Sequence, residues 1–446
     1  MRSLQASLTL SCLLFFFGFS ISMAADPADE YFTAGFDHFQ KRQFNQAIEA
    51  YSKAIELRPA FIQAYYNRAM AELNLQLYTT AISDFTIVIG NDPDHLKAFL
   101  YRGFAHLKVD MHSESLLDFE RVLKSDPNQI DALFNRGVVN MKQKKWLPAI
   151  DDFDQVIKLK PVHKAAYFNR GFCHSARGDH DSALMDYNTQ ISMNPANRDV
   201  YTNKGNTEVR LTLYEQAIKS YHKAIQIQPT DADAYQGRGL AYLTVRQYSD
   251  AIEDFSMTLR IDDQRTAVNM NRAQAFKETQ QWGAALQDLE VYLLHQPNDH
   301  EALIMKGEIL NRLEMYPEAA SILSNAVRLQ ASDVRAFQLL GYAYSKLGRV
   351  NQAIDVFAKA IGLDPNDLNS LFNRGNLYFQ AGKFSMAIQD FDACIEAQPT
   401  YVEALLMRAK SHINEGSEAK GCQDIRRART LGIAEARNLQ LKYCRR

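Results

Sequence analysis

IDALFNRGVVNMKQKKWLPAIDDFDQVIKLKPVH, residues 130–163, decides the fold. Phe134, Val138 and Met141 fall four and then three residues apart, which is one face of a helix. Gln143, Lys144 and Lys145 form a short polar break. Ile150, Phe153, Val156 and Ile157 make a second helical face, and Pro161 ends it because it cannot donate to the hydrogen-bond ladder. Gly137 on the first helix and Ala149 on the second are small, so the two backbones are expected to approach closely there. Two helices of this length cannot enclose a core. Their apolar faces must be covered by neighbours.

Outward from this stretch the same unit recurs every 34 residues. Pro59, Pro93, Pro127, Pro161, Pro195 and Pro229 keep that interval, and Pro297, Pro365 and Pro399 hold the phase. Asp263 and Ala331 fill the two skipped positions without shifting the register. Ala47, Ala81, Ala149, Ala183, Ala217, Ala251, Ala285, Ala319, Ala353 and Ala387 form a second ruler. Twelve units run from Ala28 to Glu435 with no insertion. Slots are numbered below from the first residue of each unit.

The pattern resembles the tetratricopeptide repeat family. The resemblance rests on the prolines and alanines above, on bulky residues such as Tyr31 and Leu133, and on Gly35, Gly103, Gly137, Gly171, Gly205, Gly239, Gly307, Gly341 and Gly375. It covers residues 28–435 and implies an all-α fold: an α-solenoid of helix-turn-helix units in a right-handed superhelix, with the first helix of each unit lining the concave face. Residues 436–446 are expected to form a C-terminal capping helix.

Residues 1–25 read differently. Arg2 precedes an apolar stretch from Leu8 to Ile21, and Ser22-Met23-Ala24-Ala25 closes it with small residues. That is the layout of a secretory signal peptide cut after Ala24 or Ala25. The rival reading, a retained anchor, needs a longer apolar run and a basic cluster after it. The mature protein is thus expected to be exported, periplasmic or secreted, with no membrane span once the leader is gone. A net charge of −2, from 50 basic and 52 acidic residues, lacks the basic face that nucleic acid demands. Five cysteines in 446 residues are too few for a disulfide-built scaffold.

Twelve units in one chain act as their own alignment. Slot 7 is arginine in Arg68, Arg102, Arg136, Arg170, Arg238, Arg272, Arg374 and Arg408, and slot 23 is aspartate in the same eight units, from Asp84 to Asp424. The other four lack both: Ala34 with Ala50, Lys204 with Ser220, Lys306 with Ile322, and Leu340 with Val356. Joint presence and absence predict a pair bridging the two helices of a unit, as in Arg136 with Asp152 and Arg170 with Asp186. The planar guanidinium suits a two-point hold on a carboxylate. A catalytic or anion-binding arginine row is the less favoured alternative.

Slot 6 is asparagine in Asn67, Asn135, Asn169, Asn203, Asn271 and Asn373. In the family this slot faces the groove, and the ladder is similar to the peptide-binding superhelix of O-linked N-acetylglucosamine transferase. A carboxamide offers a donor and an acceptor, which matches an extended peptide backbone whatever its side chains. Plain helix surface is the competing reading. Slots 5 and 9 are aromatic early, as in Phe134 and Phe168, and turn polar later, as in Gln236 and Gln338. They are candidates either for docking partner side chains or for packing between units.

No phosphate loop, zinc-protease helix or nucleophile elbow occurs in the sequence. His106, His112, His174 and His180, with Cys173 beside the second pair, stand where other units carry packing aromatics, so packing is preferred to metal binding. Neither catalytic residues nor a cofactor are expected. Cys422 and Cys444 each lie 11 residues from Ile433, so a hairpin turning at Gly432-Ile433 would set them opposite one another as a disulfide. The reading is an exported, non-enzymatic scaffold that holds a protein or extended peptide segment in its groove. The alternative is a regulatory or substrate-recruiting subunit of an enzyme carried on a separate chain.

Overall fold

The computed structural model describes residues 26–432 and 434–444; the leader reading at 1–25, the turn residue Ile433 and the last two arginines lie outside the described residues. Among the described residues there are 25 α-helices and no strand. They form twelve antiparallel hairpins, helix A then helix B. The first is Pro27–Gln40 with Phe44–Leu57, and the twelfth is Val402–Asn414 with Glu418–Thr430. A last helix, Ala434–Tyr443, follows, and the end of the repeat ruler at Glu435 falls inside it.

The chain divides into two units, 1–229 and 230–446. The first holds hairpins 1 to 6, and the second holds hairpins 7 to 12 and the last helix. Within each, helix A packs on its own helix B and on the B helix before it. Successive A helices also touch one another, whereas successive B helices make no comparable contact. The A helices therefore lie on the inside of the curve in each unit. Each unit is an all-α solenoid.

Local chemistry explains the repeat. Slot 15 lies between the two helices and has positive φ in all twelve hairpins; Lys144 has φ 59° and Gly178 has φ 88°. The left-handed residue lets Lys145 N–H return to Asn140 C=O at 2.8 Å, which satisfies a carbonyl that the helix end would leave unpaired. At eight of the slot 34 positions the side chain caps the next helix A, as where Asp299 accepts from Ala302 N–H at 2.9 Å and His163 Nδ1 accepts from Ala166 N–H at 3.1 Å.

Two expectations change here. A Cβ on Gly137 would lie 2.8 Å from Cε1 of Phe153 and 3.2 Å from Cβ of Asp152. The glycine thus makes room for the slot 24 ring rather than for the opposite backbone. The same ring-over-glycine contact recurs at Gly103 with Phe119, Gly171 with Tyr187 and Gly375 with Phe391. Proline is also not what stops helix B. Tyr248–Ile261 and Tyr316–Leu329 end in the usual slot although Asp263 and Ala331 replace proline. In both, the slot 31 residue leaves helical geometry as it does before proline: Asp262 has φ −144° and Gln330 φ −137°, against −139° at Lys160.

Candidate functional site

The inner A helices carry the candidate residues, and the Arg–Asp pairs set their positions. In all eight hairpins that hold the pair, the guanidinium grips its carboxylate with a shortest distance of 2.5–2.7 Å. Arg136 Nη2 donates to Asp152 Oδ1 at 2.6 Å and Nε donates to Oδ2 at 3.1 Å. Arg170 holds Asp186 in the same way, at 2.5 and 2.9 Å. Burial raises the Asp152 and Asp254 carboxyls above the ordinary aspartate value, against the opposing pull of Arg136 and Arg238.

The arginine has a second duty that the sequence reading missed. Its free Nη1 reaches slot 25 of the preceding hairpin: Arg68 to Ser52 at 3.0 Å, Arg102 to Thr86 at 3.2 Å, Arg170 to Asp154 at 2.5 Å, Arg272 to Ser256 at 3.0 Å and Arg408 to Asp392 at 2.6 Å. One side chain thereby ties two hairpins. The signal was present as an oxygen-bearing residue 16 positions before each of these arginines.

Three of the four hairpins without the pair substitute for it. Lys204 lies 3.7 Å from Glu208, which accepts from Ser220 at 2.6 Å, so the acid has moved from helix B to helix A. Lys306 reaches back to Glu290 at 3.4 Å. Leu340 and Val356 replace the pair by buried apolar contact. Slot 11, beside the pair, is polar in several hairpins: Asn140 donates to Asp152 at 3.3 Å and His106 Nδ1 sits 3.1 Å from Asp118. Glu72 fills this slot in hairpin 2. Its carboxyl is pushed up to about 7, first by burial and next by the Asp84 charge, with Arg68 opposing.

The asparagine ladder lies on the inner helices. In the first unit Asn67 and Asn135 are only 7% and 4% exposed, and Asn169 and Asn203 are half-buried. In the second, Asn271 and Asn373 are half-buried. Asn135 and Asn203 each turn one N–H back to their own helix, to Asp131 C=O at 2.7 Å and Asp199 C=O at 2.8 Å. Asn169, Asn271 and Asn373 make no side-chain hydrogen bond among the described residues. Their carboxamides keep donor and acceptor open.

Phe134 and Phe168 are placed in the packing instead. Phe134 lies 5.8 Å from the Phe153 ring and 4.8 Å from His163, the cap of the next helix A, and Phe168 lies 6.3 Å from Tyr187. Where slot 5 is polar the same junction is kept by hydrogen bonds: Arg265 donates to Gln236 at 2.9 Å and Gln338 donates to Asp367 at 2.7 Å. Slot 5 is thus an inter-hairpin joint. Phe172, at slot 9, is exposed and rests edge-on against Trp146 at 6.2 Å.

Among the described residues no group of three or more His, Cys, Asp or Glu side chains is arranged to hold a metal ion. His174 Nδ1 instead sits 3.0 Å from Asp179, and His112 stands 3.8 Å from Asp110. Burial raises the Cys173 thiol to about 12, so it stays protonated and unreactive. Cys422 and Cys444 form a disulfide with Cα atoms 5.7 Å apart, which fastens the last helix to helix B of hairpin 12. No helix among the described residues is long and apolar enough to cross a membrane.

Family models of the TPR repeat match residues 35–75, 213–245 and 341–382. Further tetratricopeptide repeat models match 131–161, 165–197, 270–334 and 369–401, so together they cover more than half of the chain. The chain belongs to the tetratricopeptide repeat family. No curated protein matches its sequence. Among solved structures, a tetratricopeptide repeat protein from Parabacteroides merdae is 17% identical, with 56% of this chain and 99% of that one covered and a TM-score of 0.45. MamA is 24% identical over 37% of this chain and 96% of its own, with a TM-score of 0.35. The Cut9–Hcn1 hetero-tetramer of the APC/C is 13% identical over 94% and 97%, with a TM-score of 0.42. The tetratricopeptide repeat is a fold of protein–protein interaction and is generally non-catalytic.

Proposed function

We propose that this tetratricopeptide repeat protein is an exported, non-enzymatic scaffold that holds an extended polypeptide segment against its A helices. The reading is carried by inner asparagines whose carboxamides have hydrogen-bonding capacity to spare, Asn169 in the first unit and Asn271 and Asn373 in the second. An extended backbone presents N–H and C=O groups at regular intervals, and a carboxamide can meet both. Export is supported by the leader-like residues 1–25 and by the Cys422–Cys444 disulfide, a bond that persists in oxidising compartments. The protein partners that the fold serves are then peptides in that compartment.

The test is capture from the exported fraction by immobilised protein, with the wild type and the Asn271→Ala plus Asn373→Ala double variant as paired bait. The double variant should retain its melting temperature and lose most of the captured polypeptide. Equal capture by both baits removes the ladder from the binding face.

A further inference from the structure

In the second unit, the edge formed by the C-terminal ends of two B helices holds a hollow of about 460 Å³ between hairpins 9 and 10. Val327, Phe337 and Leu363 make it apolar, and Arg328 and Lys359 stand at its rim. Two local departures from the repeat open it. Ala331 occupies the slot where nine other units place a proline ring. Gly362, on helix Val350–Leu363, contributes no side chain, and a Cβ built there would meet no atom within 4 Å. The floor is firm, because Phe337 is only 5% exposed and packs into the core shared by the two hairpins.

The rim charges are uncommitted. Arg328 Nη2 donates to Asn325 Oδ1 at 2.6 Å, which orients the guanidinium without neutralising it. Neither Arg328 nor Lys359 has an ion-pair partner among the described residues. The two cations thus stand together at one apolar hollow with no neutralising carboxylate. The volume is within the range of small-ligand sites, which are mostly apolar with a few converging polar groups.

We propose that this hollow is a binding site for an aliphatic group that ends in a carboxylate. The hydrocarbon lies on Val327, Phe337 and Leu363 in the space left by Ala331 and Gly362, and the carboxylate meets Arg328 and Lys359. The site is separate from the inner asparagine face and does not depend on its function. Two sources offer the same chemistry: the free C-terminus of a polypeptide with an apolar last residue, and a free fatty acid.

Three probes separate them on the full chain: a fluorescein-labelled tetrapeptide ending in leucine with a free carboxylate, the same peptide as its C-terminal amide, and decanoate. Peptide binding is read by anisotropy and decanoate binding by calorimetry. At least one carboxylate probe should bind saturably and the amide should not. Gly362→Leu fills the hollow at a helical position that favours leucine over glycine, so the variant should fold with an unchanged or higher melting temperature and lose binding. Arg328→Glu with Lys359→Glu should weaken binding about tenfold or more while folding normally. Binding of the peptide alone assigns the site to chain ends, and binding of decanoate alone assigns it to free acids. Absence of saturable binding by both carboxylates, equal binding of the amide, or full binding by folded Gly362→Leu overturns the proposal.

Discussion

Removing Arg136 should open hairpin 4 more readily than removing Asp152, although both changes break the same pair. The side chain of Arg136 is 27% exposed and that of Asp152 is 4% exposed. Arg136→Ala leaves an enclosed carboxylate with only the Asn140 amide at 3.3 Å for compensation. The cost of stranding a buried charge is about 3–5 kcal/mol. Asp152→Ala leaves a guanidinium that water already reaches, so its cost is about 1–2 kcal/mol. The double change removes both charges and should cost about 1–3 kcal/mol, well short of the sum. Hairpin 10 shows that the exchange is feasible, with Leu340 and Val356 buried in the same slots.

Global melting is a poor reading of such an effect, because repeat arrays lose cooperativity and open by parts. Hydrogen exchange followed by mass spectrometry on fragments within residues 130–163 reports the hairpin itself. The sign of the pH dependence adds a second reading. Burial raises the Asp152 carboxyl from its 3.8 reference, so the folded state favours the protonated form. Its contribution is fully present below that reference and is lost as pH rises through the folded value. Loss of Arg136 enlarges the shift, so acidification toward pH 4 should restore Arg136→Ala more than the wild type. Equal protection in the two single variants, or losses that add within about 0.5 kcal/mol, would refute the reasoning.

Glu72 gives a neutral-range counterpart. Its carboxyl is raised from 4.5 to about 7, so its stabilising share is complete below 4.5 and vanishes as pH climbs through 7. Glu72→Gln should remove most of the loss of hairpin 2 protection between pH 5 and pH 8, about 3 kcal/mol in the wild type; an unchanged pH profile in the variant counts against it. Reducing the Cys422–Cys444 bond, which closes a separation of 22 residues, should lower protection of the last helix by about 3 kcal/mol and leave hairpins 1 to 10 unaffected. Uniform destabilisation along the chain would contradict a local staple.

The repeat was legible because every unit pays the same local rules: apolar residues at helical spacing, a small residue opposite a ring, and a polar link. The Arg–Asp pairs were legible because twelve units in one chain supply covariation between Arg136 and Asp152 and their counterparts. The asparagine positions were legible, but their availability was not. Asn135 and Asn169 are the same residue in the same slot, yet Asn135 bonds back to Asp131 while Asn169 stays open. The rotamer that each asparagine takes is not set by its slot.

The amino-acid order alone determined the helical hairpins, their register and the residues that answer one another across each hairpin, because these follow from spacing within 34 residues. Tertiary structure decided what lies between hairpins. It turned Phe134 from a groove candidate into a joint with His163, gave each of several arginines a second partner one hairpin back, and opened the hollow at Ala331 and Gly362. These features depend on how close and at what angle successive hairpins settle. That geometry is set by many side chains packing at once, and no single stretch of sequence encodes it.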